Sequence, residues 1–180
     1  MRKAELRRSL LEQRRLLSVG EWRERSDRIC ERVECHPLFM RAKTVLAYFS
    51  FRQEPDLSRL FTNNYYNWGF PRCVGQSLVW YLWKPDDSLQ VGAYGILEPD
   101  VSAAMIAPEA VDLILVPCVA CDSQNYRLGY GGGYYDRLLS APVWANKPTI
   151  GIVFDFAYLS QIPIDTWDKP LQAVITDKYS

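Results

Sequence analysis

Residues 111–139 read VDLILVPCVACDSQNYRLGYGGGYYDRLL, and their order decides the fold class. The run VDLILV (111–116) is apolar apart from Asp112, as expected for a strand buried on both faces. Pro117 ends it, because proline has no N–H to give to a ladder. Behind it, four glycines (Gly129, Gly131, Gly132 and Gly133) fall within five positions. A short helix is predicted over 134–139. Strand, glycine turn and helix in that order build layered α/β sheets, whose ligands gather beyond the carboxyl ends of the strands. The glycine loop stands in that place.

Working outward, residues 2–17 read as a helix with Leu6, Leu10 and Leu17 on one stripe and arginines around it. Ser18 and Glu21 form an S-x-x-E capping box that starts a second helix to about Glu34. Pro37 is expected to close that region. TVLAYF (44–49) reads as a buried strand. Pro55 and Asp56 are expected to open a third helix through Leu57, Leu60 and Phe61, ending near Gly69. Strands follow at 70–74 and 78–83 as a hairpin, then a long surface connection over 84–110 rich in Pro, Gly and Asp. TIGIVF (149–154) and AVIT (173–176) complete the strands. The expected architecture is α/β: a three-layer, Rossmann-like, mixed and partly parallel sheet flanked by helices. All 180 residues fit one domain, 1–180.

With 48% hydrophobic and 23% charged residues, the composition is that of a globular chain. A formal net charge of zero excludes a general pull toward nucleic acid or membrane. The charge is uneven, since residues 1–25 carry eight Lys and Arg against four Glu. No apolar run approaches the roughly 18 residues of a membrane span. The N-terminus lacks an apolar signal core, and Glu5 and Glu12 do not suit an acid-poor transit peptide. Five cysteines with no secretion signal point to reduced thiols in the cytoplasm. Cys118 and Cys121 form a C-x-x-C with neither a second pair nor a nearby histidine, so packing explains them better than zinc.

The glycine loop meets the mechanical requirement for phosphate: amides converge without Cβ clashes ahead of a helix terminus. It is no Walker A motif, because no G-K-[ST] closes it. It is no Rossmann fingerprint either, since Tyr134 stands at the third glycine position. By glycine count alone, a packing turn and a phosphate cradle are both open. Its flanks favour the cradle. Arg127 and Arg137 bracket the loop with planar forks suited to phosphate oxygens. Asp136, otherwise a helix-start acid, is beside phosphates a natural magnesium ligand. Lys3 and Arg7, four apart on one helix face, are placed to supply the cation that a Walker lysine supplies elsewhere.

RLGYGGGYYD (127–136) resembles the signature of the 5-formyltetrahydrofolate cyclo-ligase (5,10-methenyltetrahydrofolate synthetase) family. The resemblance extends to KAELR (3–7), YFSFRQE (48–54), FPR (70–72), GILEP (95–99), VDLILVP (111–117), IGIVF (150–154) and AVITD (173–177). It implies ATP- and Mg2+-dependent conversion of 5-formyltetrahydrofolate to 5,10-methenyltetrahydrofolate with release of ADP and phosphate. The formyl oxygen is phosphorylated and the neighbouring folate nitrogen closes the ring, so no Ser, Cys or His nucleophile is needed. Carried over by position, Lys3 and Arg7 meet ATP phosphates. Arg127, Leu128, Gly129, Tyr130, Gly131, Gly132, Gly133, Tyr134 and Tyr135 form the nucleotide loop. Tyr130 to Tyr134 also border the folate, and Arg127 and Tyr134 stand at the reacting groups. Phe49 is an apolar substrate wall and Glu54 the acid that reads the pterin nitrogens. Asp136 is a metal ligand and Asp168 a second acid for the metal. Tyr94 and Arg72 flank the ligands. The chain departs from the family pattern in WDKPLQ (167–172), where Trp167 and Gln172 replace a polar and an acidic residue, and at Cys118 and Cys121. His36, the one histidine, reads as structural.

The expected partners are therefore small molecules, with no nucleic acid and no membrane, and the expected assembly is a monomer. Two other readings stand beside this one. A non-catalytic relative binding nucleotide, folate or RNA fits the basic first helix but lacks a strong basic footprint. A small-molecule kinase lacks an obvious general base near the loop.

Overall fold

The computed structural model describes residues 2–178. Helix α1 (Lys3–Arg15) turns Leu6 and Leu10 inward, with Glu5 in its first turn and Arg14 and Arg15 in its last, where the helix dipole favours them. Helix α2 (Val19–Glu34) opens on the predicted box: the Ser18 hydroxyl accepts from the Glu21 amide while the Glu21 carboxylate accepts from the Ser18 amide. Pro37 does not simply close this region. It is the first residue of a short helix, α3 (Pro37–Met40), where its missing N–H costs nothing, and Nδ1 of His36 caps it by accepting from the Leu38 amide.

Strands β1 (Thr44–Leu46), β2 (Asn67–Val74), β3 (Ser77–Leu82), β6 (Leu113–Pro117), β9 (Thr149–Ile152) and β11 (Ala173–Ile175) make the main sheet. Its order is β11-β9-β6-β1-β2-β3, parallel except for the antiparallel β2–β3 edge. The alternation of side chains along a strand shows directly in β6. Leu113 and Leu115 pack with Ile29 and Val33 of α2 and Phe39 of α3. Ile114 and Val116 pack with Leu6 and Leu10 of α1 and with Leu138 and Leu139. The result is the expected three-layer α/β arrangement, a mixed and partly parallel sheet covered on both faces. Two small sheets attach to it. One is β10 (Tyr158–Leu159), β7 (Ala120–Asp122) and β8 (Arg127–Leu128); the other is the hairpin β4 (Leu89–Val91) and β5 (Leu97–Pro99). Helix α4 (Tyr134–Ser140) follows the glycine loop.

Two expectations fail for local reasons. The third helix is only a 3-10 turn at Ser58–Thr62, and Asn67 to Gly69 already belong to β2. The Asp56 carboxylate accepts from the Ser58 amide and the Asn63 side chain from the Tyr65 amide, so side chains capture the amides a helix needs. Residues 84–110 are not a plain surface connection. They contain the β4–β5 hairpin, which is fastened to β2 because the buried Glu98 carboxylate accepts the Cys73 amide at 3.0 Å. Cys118 and Cys121 are buried free thiols packed on Gly151, as expected. No helix among the described residues is long and apolar enough to cross a membrane.

Candidate active site

Beyond the carboxyl ends of β1 and β6 lies a cavity of about 600 Å³, within the roughly 300–1,000 Å³ of small-molecule sites. Its walls come from distant parts of the chain: α1, the segment after β1, β2, the β4–β5 turn, the glycine loop and the tail around Asp168. Of the residues that the sequence assigned to the site, Lys3, Arg7, Phe49, Glu54, 127–136 and Asp168 all line it. Tyr94 lines it as well. Arg72 does not; it reaches the Pro99 carbonyl at 2.5 Å and Glu98 at 3.5 Å, tying down the hairpin.

The glycine loop holds its shape through backbone that other residues avoid. Gly131 has φ 101° and Gly133, the residue before α4, has φ 70°. A Cβ on Gly133 would stand 2.6 Å from a guanidinium nitrogen of Arg137. That arginine is occupied as a brace, donating to the Gly132 carbonyl at 2.8 Å and the Gln76 carbonyl at 2.7 Å. Helix α1 does lie over the loop: Arg7 Nε donates to the Gly129 carbonyl at 2.7 Å, and its guanidinium rests against Gly131. Lys3 meets Asp165 at 2.6 Å and Asp168 at 2.5 Å. Burial works to lower the Lys3 pKa, but the hydrogen bonds and charges of these two acids raise it above its ordinary value, keeping the ammonium charged.

Arg127 is buried and pairs with Asp136 at 2.8 Å. The Tyr134 hydroxyl shares a 2.9 Å hydrogen bond with Tyr94 and lies 3.1 Å from the Gly75 carbonyl. The Tyr94 hydrogen bond first, and burial after it, raise Tyr134 to about 12, so at neutral pH it keeps its proton and is no base. Phe49 stacks on Phe70 at 4.0 Å between centroids and meets Trp83 edge-on, a rigid apolar wall.

Glu54 is 4% exposed. Burial pushes its carboxyl up to about 7 against the pull of Arg14, the Phe51 amide and the Tyr130 hydroxyl. An acid shifted this way inside a pocket is a candidate functional group. Sequence reading missed Arg14, which is 1% exposed beneath the loop. Its position on the helix gave no warning, because it sits among exposed arginines of the same type. Asp165 and Trp167 at the rim and Cys73 in the floor were also missed; only the fold brings them here.

As for a metal, no three His, Cys, Asp or Glu side chains converge into a cage among the described residues. Magnesium is usually held by one or two carboxylates plus phosphate oxygens. Asp136 and Asp168 face the cavity, each beside a cation that phosphates also attract, so the donor set fits an ion that arrives with a polyphosphate.

Sheet and cleft together define a layered α/β enzyme that takes small molecules at the carboxyl edge of its strands. The chain belongs to the 5-formyltetrahydrofolate cyclo-ligase family, whose family model matches residues 1–177. It is 30% identical to 5-formyltetrahydrofolate cyclo-ligase of Escherichia coli strain K12, with 92% of this chain and 94% of that protein covered. The solved structure of Aquifex aeolicus 5,10-methenyltetrahydrofolate synthetase is similar, with TM-score 0.88, 36% identity, and coverage of 99% of this chain and 91% of that one. The Mycoplasma pneumoniae 5,10-methenyltetrahydrofolate synthetase superposes with TM-score 0.78 at 25% identity, covering 99% and 100%.

Proposed function

We propose that this protein converts 5-formyltetrahydrofolate to 5,10-methenyltetrahydrofolate, consuming ATP in a magnesium-dependent reaction and releasing ADP and phosphate. One observation carries the reading: the glycine loop, the cationic face of α1 and the buried acid Glu54 converge on one cavity. The γ-phosphoryl group of ATP passes to the formyl oxygen, and ADP departs. The neighbouring folate nitrogen attacks the activated carbon, and the carbon–oxygen bond breaks as phosphate leaves, the proton of that nitrogen passing to the departing phosphate or to solvent. Both nucleophiles belong to the substrate, so the chain's work is positioning and charge stabilisation.

Lys3 and Arg7 are assigned to the phosphates, with the amides of 129–133 beside them. Arg127 and Tyr134 stand at the reacting groups, the first as a fixed cation and the second as a hydrogen-bond donor. Phe49 and Tyr130 flank the pteridine, and Glu54 accepts from its N–H groups. Magnesium held by Asp136, with Asp168 as second acid, would neutralise charge on the phosphates. The protein is read as a single-domain cytoplasmic monomer acting on small molecules, and a sedimentation mass of one chain checks the monomer.

The test is direct. Purified protein mixed with 5-formyltetrahydrofolate, ATP and magnesium should generate the near-ultraviolet absorbance of the methenyl product. Measurable ATP binding with no product refutes the reading in favour of a binding module.

A further inference from the structure

Arg14 is a buried charge that the proposed reaction does not use. Arg14 is 1% exposed, yet no carboxylate among the described residues stands within ion-pairing distance of it. Its Nη1 donates to the Tyr130 hydroxyl at 2.7 Å and its Nη2 to the Cys118 carbonyl at 2.9 Å. Its Nε has no acceptor among the described residues. A buried guanidinium without compensation is costly, so its counter-charge has to be sought one contact further on. Tyr130 supplies the connection. Its single proton is free to go to Glu54, because Arg14 only donates to its oxygen. Tyr130 thus stands between the other two, hydrogen-bonded to Arg14 and lining the same cavity as the Glu54 carboxylate, whose charge it favours.

The surroundings of Glu54 leave Arg14 a particular part. Tyr130 from the glycine loop, Tyr135 from α4 and Tyr48 in the segment after β1 face it as neutral phenols. Arg52 beside it is exposed to solvent, which weakens its field. The Phe51 amide donates to Glu54 Oε2 at 3.0 Å. Arg14 is the buried cation in this set. It lies seven residues beyond Arg7 and eleven beyond Lys3, so the three share one face of α1.

We propose that Arg14 is a positioning residue: acting through the Tyr130 hydroxyl, it orients the Glu54 carboxylate as the acceptor for the N–H donors of the pteridine ring. This rests on the proposed function for the identity of the ligand, but not for the relay itself. The same helix then serves both reactants, its first turns at the phosphates and its last turn at the pteridine.

The relay is tested first in ligand-free protein. The Glu54 carboxyl resonance, assigned by its absence in Glu54→Gln, is followed against pH in protein carrying 13C-labelled glutamate. Arg14→Met should raise its midpoint by about one pH unit, the effect of removing a nearby opposite charge, and Arg14→Lys should restore much of it. Tyr130→Phe, which removes only the hydroxyl, should shift it in the same direction and serves alone if Arg14→Met does not fold. An unmoved midpoint overturns the relay. In turnover, Arg14→Met should raise KM for 5-formyltetrahydrofolate about tenfold, as expected for a lost hydrogen bond to a charged group. KM for ATP should stay within about twofold, and the acid limb of kcat/KM should move upward with the Glu54 midpoint. Equal rises in both KM values, or a fixed acid limb, overturn the positioning role. Wild-type protein that forms no product refutes the proposed function instead, and the midpoint alone then decides the relay.

Discussion

Replacing Glu54 by Gln should make the protein more stable at pH 8 and leave it nearly unchanged near pH 4.5. The carboxyl has an ordinary value of 4.5 in the unfolded chain and about 7 in the folded one, because burial disfavours its charge. Its folded value is the higher, so the native state holds the proton more tightly. Stability from this group is therefore fully present below pH 4.5 and is lost as pH rises from 4.5 through 7. At about 1.4 kcal/mol per pH unit, the gap sets a ceiling of about 3 kcal/mol at pH 8. Glutamine escapes this cost, since it never ionises and keeps a carbonyl oxygen for the Phe51 amide. For a chain of this length about 3 kcal/mol corresponds to a Tm rise of about 6 to 12 °C. The assay is differential scanning calorimetry of both proteins from pH 4.5 to 8.5, plotting the difference in Tm so that groups common to both cancel. A difference that is flat across that range, or that grows toward acid, refutes the buried-acid account.

Four further outcomes are expected. Asp122→Ala should cost about 3 kcal/mol in urea unfolding, because the buried carboxylate accepts from the Gln124, Tyr126 and Ile162 amides, and an unchanged midpoint would show these bonds contribute nothing. Gly133→Ala should cost about 1 to 2 kcal/mol and lower turnover, since φ 70° strains any residue with a Cβ and the Arg137 guanidinium that braces the loop must shift to admit one. Lys3→Ala should weaken ATP binding by calorimetry while leaving folate binding intact; wild-type ATP affinity would remove Lys3 from the phosphates. Asp136→Asn should lower turnover with little recovery in excess magnesium, and unaltered turnover would remove Asp136 from the metal.

Much of the architecture was legible because its causes are local. The apolar run VDLILV, the Ser18–Glu21 box and the glycine density before Tyr134 each act over a few residues, and each appears where expected. The third helix failed for a local reason of another kind: Asp56 and Asn63 carry oxygens that compete for backbone amides, and apolar spacing does not weigh that competition. The hairpin in 84–110 depends on Glu98 finding the Cys73 amide, a partner 25 residues away.

By itself the sequence determined a layered α/β chain with a backbone-lined loop at a strand's carboxyl end, together with the family to which it belongs. Whether a given cation is solvated or buried was not local information. Lys3 meets acids more than 160 residues on, and Arg14 reaches Tyr130 across 116. Arginines in one helix have the same backbone preference whichever way they face, and only the packing of α1 over the loop decides which of them is taken out of water. That choice settled the surroundings of Glu54, because desolvation and a buried charge act through space and leave no mark on neighbouring residues.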